Sequence, residues 1–275
     1  MRRLVCATLL TAGCCCSSLQ GGSVLDAYAK LYNFDFPGAH QILDGYIATS
    51  PQDPLGHSTR AAAYLFFELD RLKILQGEFL TDDKKISGDD KLIPDPSIRA
   101  RFFSAVEDAQ KAAEVRLQEK PGDSNALFAF CITEGLKTDY TAFVEKRQLR
   151  SLSSARKAHN YAVELLERDP SFVDAKLTTG ITEYLVGSLP FFIRWFVKFD
   201  QTQGSKQQAV ANLETVAQKG RYLGPFARIL LSIIYLREKR QPQSLKLLEG
   251  LVADYPGNHL LRTEMEKLKA QKAKK

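Results

Sequence analysis

A small residue followed twelve positions later by a proline recurs four times in this chain and limits the folds open to it. The four intervals are Ala39 to Pro51, Ala109 to Pro121, Ala158 to Pro170 and Ser244 to Pro256. Positions four and seven after each small residue continue one face of a helix. Because proline disfavours helical geometry in the residue before it, each interval predicts a helix that stops just short of the proline. Four copies of one interval predict a structural unit that is used repeatedly.

Each of these helices follows another helical pattern, so the sequence predicts five helix pairs. The predicted pairs are Val24–Phe34 with Pro37–Thr49, Leu55–Gln76 with Ile98–Glu119, Ser124–Thr138 with Tyr140–Arg168, Phe172–Leu185 with Gln203–Gln218, and Gly224–Lys239 with Ser244–Pro256. Tyr140–Arg168 is expected to be one long helix or a helix broken once. His259–Lys272 predicts a polar final helix that covers the last apolar face of the array. The expected fold class is all-α.

Two stretches interrupt this pattern and are predicted to be insertions into a repeat domain that spans residues 24–256. They are residues 77–96 and residues 188–203. The first is rich in acidic residues, but it lacks the alternating ligands and the distal glutamate of an EF-hand loop, so no calcium site is predicted. Residues 257–275 are expected to form the capping helix and a basic tail.

The first thirteen residues predict a signal peptide, because Arg2 and Arg3 precede a short apolar run, Leu4–Thr11. The small residues before Cys14 resemble the lipobox of bacterial lipoproteins, although Thr11 departs from the aliphatic residue usual there. The resemblance implies a protein that is lipid-anchored through Cys14 to a membrane of the bacterial cell envelope, facing the periplasm, with the outer membrane favoured. A plain secretory signal is the alternative. Residues 14–23 are predicted to be a flexible linker.

Charge and motifs argue against several functional classes. Without Arg2 and Arg3, 36 basic against 32 acidic residues leave a net charge of +4, much of it in the tail Lys267–Lys275. No basic stripe indicates a nucleic-acid partner. The sequence also lacks HExxH, GxSxG, a phosphate loop and zinc-ligand spacing, so we expect no enzyme activity, no cofactor and no metal site. Cys131 is expected to be a small core residue, and His40 and His159 are expected to point outward.

The repeated unit resembles the tetratricopeptide repeat. The resemblance rests on small residues in the first helices (Gly135, Gly180 and Ser232), on Tyr235 three residues after Ser232, on the small residue that opens each second helix and on the closing proline. It covers residues 24–256, but the spacing is stretched, with 49 residues from Pro121 to Pro170. Gly135, within the first helix of the third pair, is expected to permit a close helix crossing. The resemblance implies a right-handed α-solenoid that offers a concave surface to peptides or protein segments.

In that family the first helix of each pair lines the concave groove. The inward-facing candidates by helical spacing are Ile132, Leu136, Tyr140, Leu177, Ile181, Tyr184, Phe226, Ile229 and Ile233. Their apolar character leaves two interpretations open. The groove takes an apolar segment of a partner, or another part of this chain already fills it.

The second insertion carries an aromatic helical pattern, Ser188–Phe199. The residues singled out in it are Phe192, Trp195, Phe196 and Phe199. Internal packing, partner binding and membrane contact are all compatible with such a pattern.

The function predicted from the sequence is a non-catalytic protein-interaction scaffold or adaptor of the bacterial cell envelope, which binds a protein or peptide partner through its groove. One alternative is a membrane-associated structural component that contacts lipid through residues 188–199. Another is an enzyme accessory that binds a small molecule.

Overall fold

The computed structural model describes residues 22–77, 92–188 and 202–273, which form eleven α-helices and no β-strand. The helices are α1 (Val24–Tyr32), α2 (Phe36–Thr49), α3 (Pro54–Arg71), α4 (Pro96–Glu119), α5 (Ser124–Asp139), α6 (Gln148–Arg168), α7 (Lys176–Ser188), α8 (Lys206–Lys219), α9 (Gly224–Arg237), α10 (Gln241–Asp254) and α11 (His259–Ala273). A π-helical turn, Tyr140–Val144, follows α5, and a 3-10 turn, Val173–Ala175, precedes α7.

These helices pack as five consecutive pairs, and α11 covers the last of them. The pairs are α1 with α2, α3 with α4, α5 with α6, α7 with α8, and α9 with α10. The predicted all-α stack of helix pairs is therefore confirmed. The stretch Tyr140–Arg168 was predicted to be one long helix or a helix broken once, and the structure shows the broken form. The π-helical turn extends α5, so Tyr140 belongs to the end of a first helix and not to the start of a second.

The small-residue-to-proline intervals have the structural role that their periodicity predicts. The opening residues Ala39, Ala109, Ala158 and Ser244 are all at most 2% exposed. Each second helix ends two residues before its proline, at Thr49, Glu119, Arg168 and Asp254. The residue before proline has left helical geometry, with φ of −138° at Ser50, Lys120 and Asp169 and −130° at Tyr255. One short interval thus sets both the packing face and the end of the helix.

The glycines of the first helices do not share one role. A Cβ on Gly180 would lie only 3.1 Å from the side chain of Leu213 and 3.3 Å from the carbonyl oxygen of Ala209, so this glycine permits a close crossing of α7 and α8. A Cβ on Gly135 would meet nothing within 4 Å, so the expected close crossing there is wrong. The third and fourth pairs are offset by 49 residues, so the position equivalent to Gly180 in the third pair is Cys131. Cys131 is 1% exposed and has the predicted core role. Burial raises the pKa of its thiol to about 11.

The two ends of the array contact each other. The hydroxyl of Tyr32 donates a 2.8 Å hydrogen bond to the carbonyl oxygen of Tyr222, just before α9. The side-chain amide of Asn258 donates a 3.0 Å bond to the carbonyl oxygen of Tyr32. The same asparagine accepts from the backbone N–H groups of Leu260 and Leu261 and caps α11. The first helix is therefore tied to the last pair and to the capping helix.

Aromatic side chains fill the space that this closure encloses. The ring of Tyr222 lies 5.7 Å from that of Tyr28 and 5.8 Å from that of Phe128, measured between centroids. The ring of Phe66 meets that of Phe226 edge-on at 5.6 Å. Tyr28, Phe128 and Tyr222 form one aromatic cluster, and the Phe66–Phe226 contact belongs to the same hydrophobic core, so aromatic residues of four of the five pairs meet in that core.

A buried aspartate stabilises the turn after α8, where Arg221 stands twelve residues after the small residue Ala209, at the position that proline occupies in the other four pairs. Asp174 is 3% exposed and accepts three backbone hydrogen bonds, from the N–H groups of Arg221 (2.8 Å), Tyr222 (2.9 Å) and Leu223 (2.7 Å). The carboxylate therefore orients the turn that carries Tyr222 into the aromatic cluster.

Replacing Asp174 by alanine should destabilise the whole fold. The three N–H groups would lose their acceptor, which we expect to lower the free energy of unfolding by about 3 kcal/mol. A urea titration followed by circular dichroism measures the change. Asp44→Ala is the matched control, because Asp44 is an exposed aspartate whose ion pair with Arg60 is worth at most about 0.5 kcal/mol. Equal stability of the two variants would contradict the role assigned to Asp174.

Candidate interaction site

The nine predicted groove residues divide into two groups by burial. Leu136, Tyr140, Leu177 and Tyr184 are at most 7% exposed and belong to the main hydrophobic core. Ile132, Ile181, Phe226, Ile229 and Ile233 are half-buried. Within the first, buried group, Tyr140 stacks on Phe102 with ring centroids 5.1 Å apart. A partner could reach the second group, whereas the first is already packed within the chain.

Several sequence-predicted sites lie outside the described residues. These are the signal peptide, Cys14, and the insert residues Phe192, Trp195, Phe196 and Phe199. Their roles stay predictions.

The chain passes from the first to the second helix of every pair along one edge of the array. Because each pair is antiparallel, the five connections at residues 33–35, 72–95, 140–147, 189–205 and 238–240 share this edge, which we call the hairpin edge. The connections between pairs lie on the opposite edge. The described residues that flank both predicted insertions therefore lie at the hairpin edge, in the second and fourth pairs, and the π-helical connection of the third pair lies between these two points.

Buried glutamates hold the chain where it returns from both insertions. Glu68 is 1% exposed; its carboxylate accepts two 2.8 Å bonds from the Arg71 guanidinium and one from the backbone N–H of Asp95. Glu183 is 7% exposed and accepts from the backbone N–H groups of Gln203 (3.1 Å) and Ser205 (2.7 Å). Neither glutamate was predicted from the sequence, although an acidic residue inside an apolar helical run was a usable signal.

Three large apolar side chains are exposed on the hairpin edge. Ile93 is 81% exposed in the connection of the second pair, Leu149 is 86% exposed at the start of α6, and Leu185 is 59% exposed near the end of α7. The other exposed large hydrophobic residues of the described chain, Leu25, Phe67 and Val115, are only 38% to 44% exposed. The most exposed apolar side chains thus occur at three successive pairs on one edge.

The expected outward position of the histidines is wrong for His159. This residue is 2% exposed, and its Nε2 lies 3.2 Å from the hydroxyl of Thr202. His40 is half-buried, with its ring centroid 4.3 Å from that of Tyr64, and burial lowers the pKa of its imidazole. Both follow a small residue that faces the core, and that position turns the ring toward the neighbouring helix pair instead of solvent.

The carboxyl group of Asp139, the last residue of α5, has a pKa shifted toward neutral pH. Asp139 is half-buried, and desolvation raises the pKa of its carboxyl to about 7 from a reference value of 3.8. It lies on the hairpin edge, beside the π-helical turn.

Asp139 should make the fold less stable as the pH rises from about 4 to about 7. In that window the unfolded chain releases the proton while the folded chain retains it, so the free energy of unfolding falls. Asp139→Asn removes the ionisation. We expect the variant to match the unmodified protein at pH 4 and to exceed it by about 1–2 kcal/mol at pH 8, a value reduced for partial solvent exposure.

Urea titrations at pH 4, 6 and 8 measure this difference. Asp108→Asn, at an exposed position on α4, is the control and should leave the pH dependence unchanged. A pH dependence of Asp139→Asn identical to that of the unmodified chain would refute the assignment.

The described part of the chain shows neither a metal-binding cluster nor a membrane span. Residues 22–77, 92–188 and 202–273 contain no group of three or more His, Cys, Asp or Glu side chains placed to hold a metal ion. Among the helices described, none combines the length and the apolar character needed to cross a bilayer.

Two of three comparisons with known proteins gave no match, and the third gave a solved structure of low sequence identity. No protein-family model matches the chain, and no curated protein matches it. The chain is similar to the crystal structure of a thermophilic TPR protein of Thermus thermophilus, with 14% sequence identity, a TM-score of 0.48, and coverage of 89% of this chain and 96% of that one. The chain's own five helix pairs, each with a buried small residue in its second helix, give it a tetratricopeptide-like fold.

Proposed function

We propose that this chain is a non-catalytic protein-interaction scaffold of the bacterial cell envelope, which docks a protein partner along the hairpin edge. The observation that carries the proposal is the row of exposed side chains Ile93, Leu149 and Leu185 at three successive pairs of that edge. Single exposed apolar residues are ordinary on a protein surface, whereas repeated ones on one edge are typical of an interaction surface.

The fold favours a protein partner over other ligands. Stacked helix pairs of this kind generally mediate protein–protein interaction through extended surfaces. Here the enclosed side is occupied by the aromatic cluster of Tyr28, Phe128 and Tyr222. The hairpin edge is therefore the more accessible apolar surface, and the half-buried groove residues form a second, smaller one.

A photo-crosslinking amino acid at Leu149 should give a protein adduct in the native envelope. The same substitution at Val115 is the matched control, because Val115 is an exposed apolar residue near the opposite edge. A third position, Ile233, tests the predicted groove. We expect a discrete adduct from Leu149 and none from Val115, detected by immunoblot and identified by mass spectrometry.

The two other outcomes are equally decisive. An adduct from Ile233 in place of Leu149 would move the docking surface into the groove. Adducts of equal intensity from Leu149 and Val115, or none from any position, would contradict a docking surface on this chain.

The envelope part of the proposal is supported by the signal-peptide pattern and by the lipobox-like residues before Cys14. Diacylation of that cysteine would tether the helical array to a membrane. We expect the unmodified protein to sediment with membranes and Cys14→Ser to appear in the soluble fraction, with Cys131→Ser as the control that stays with the membranes. Retention of Cys14→Ser on washed membranes would reject the lipid tether and would favour membrane contact through residues 188–199.

A further inference from the structure

A cavity of about 420 Å³ opens on the face formed by the second helices, between α4 and α6. The inner helix α5 forms its floor with Phe130, Glu134 and Lys137, and α4 contributes Gln110 and Glu114. This volume suits a ligand group the size of a long side chain or a small metabolite. The cavity is separate from the hairpin edge, and the inference drawn from it does not depend on the proposed function.

A buried carboxylate on the cavity floor is only half satisfied. Glu134 is 4% exposed, and its Oε1 accepts from the side-chain amide of Gln110 at 3.1 Å and from the ammonium of Lys137 at 2.8 Å. No donor among the described residues reaches its Oε2. This oxygen is itself almost closed to solvent, and a buried carboxylate oxygen without a donor is energetically unfavourable, so an N–H group that the cavity admits to it would stabilise the carboxylate.

The other two buried glutamates of the first helices show how such carboxylates are satisfied in this fold. Glu183 lies 49 residues after Glu134, the same interval that separates Pro121 from Pro170, and both of its oxygens accept backbone N–H groups of residues 203 and 205. Both oxygens of Glu68 accept from Arg71. Glu134 is therefore the exception among the three buried glutamates of the described first helices.

The length of α6 explains the difference between Glu134 and Glu183. The helix α8 begins three residues before its buried small residue Ala209, so the preceding non-helical segment reaches Glu183. The helix α6 begins ten residues before Ala158. The corresponding stretch of the third pair is thus helical, and its backbone N–H groups are not free to reach Glu134.

The cavity walls suit a cation. Tyr161 of α6 stacks on Phe130 with centroids 4.8 Å apart and planes at 14°. Burial raises the pKa of the Tyr161 hydroxyl, and the carboxylates of Glu134, Glu164 and Glu114 raise it further, so the field at this ring is negative. Aromatic faces and carboxylates together favour alkylammonium and guanidinium groups.

Three basic groups equal the three carboxylates in number, but only one of them reaches Glu134. Lys137 is paired with Oε1 of Glu134, and Lys157 lines the cavity from an exposed position on α6. Arg168 pairs with Glu164 at 3.0 Å on the exposed side. Of these three bases only Lys137 contacts Glu134, at Oε1, so Oε2 remains the position at which a further cation would be held.

We propose that this cavity binds one alkylammonium or guanidinium group, which donates a hydrogen bond to Oε2 of Glu134 and packs against the Tyr161 and Phe130 rings. The group has two sources: the side chain of a lysine or arginine in a partner protein, or a free amine or guanidine metabolite. Both present the same chemistry to the carboxylate.

The test uses the purified protein with ¹³C-labelled phenylalanine and tyrosine, titrated with two probes and followed by nuclear magnetic resonance. One probe is agmatine, a free guanidine. The other is the blocked tripeptide acetyl-Gly-Arg-Gly-amide, with acetyl-Gly-Gln-Gly-amide as its uncharged counterpart. We expect saturable shifts of the Phe130 and Tyr161 signals with at least one cationic probe and none with the glutamine tripeptide. Binding of the tripeptide assigns the site to a protein side chain, and binding of agmatine alone assigns it to a metabolite.

Three variants decide whether Glu134 is responsible. Glu134→Gln keeps the side-chain shape and should weaken binding by about tenfold or more, because it removes a charge-assisted hydrogen bond. Glu107→Gln, an exposed glutamate of α4 outside the cavity, should leave binding unchanged. Lys157→Glu alters an exposed residue at the rim and should tighten binding several-fold even if Glu134→Gln folds poorly. Absence of shifts with both cationic probes at millimolar concentration, or undiminished binding by folded Glu134→Gln, would overturn the proposal in favour of a water-filled crevice.

Discussion

The hydrogen bonds that tie Tyr32 to Tyr222 and Asn258 join the first helix of the array to its last pair. An open stack of helix pairs exposes its inner face, whereas this closure brings aromatic residues of four pairs together in one hydrophobic core. The inner apolar side chains then pack mostly against one another, and part of the predicted groove becomes core. The most exposed apolar side chains of the described residues then lie on the hairpin edge, at three successive pairs, and the half-buried groove residues form a smaller apolar surface.

Buried carboxylates determine how that edge is built. In the second and fourth pairs, Glu68 and Glu183 accept backbone N–H groups from residues at or just after the C-terminal ends of the two insertions, so the chain rejoins the scaffold at a defined point in each pair. In the third pair the helix α6 occupies the equivalent space, and Glu134 instead faces a cavity. Because α6 begins earlier relative to its buried small residue than α8 does, Glu134 receives no backbone N–H group of the kind that Glu183 receives. One oxygen of Glu134 therefore stays without a donor, and Glu134 becomes a candidate binding group.

Sequence reasoning succeeded where the signal was local and failed where it depended on neighbours across the array. The ends of the second helices followed from the steric effect of proline on the preceding residue, which acts within two positions. Gly135 was assigned a close crossing because a glycine stood in a first helix, but the residue in register with Gly180 is Cys131, and register between pairs is a matter of packing. His159 was expected to point outward for a similar reason, since the neighbouring pair that covers it is distant in sequence.

By itself the sequence determined the class of fold, the number of helix pairs and the position at which four of the five second helices stop, because helical periodicity, small-residue packing and proline geometry are short-range properties. Only the tertiary structure decided that the array closes on itself, which apolar side chains stay exposed, and which buried glutamate lacks a donor. Those outcomes depend on how successive pairs are rotated against one another. That rotation is a sum of many side-chain contacts between residues far apart in the chain, and no single stretch of sequence encodes it.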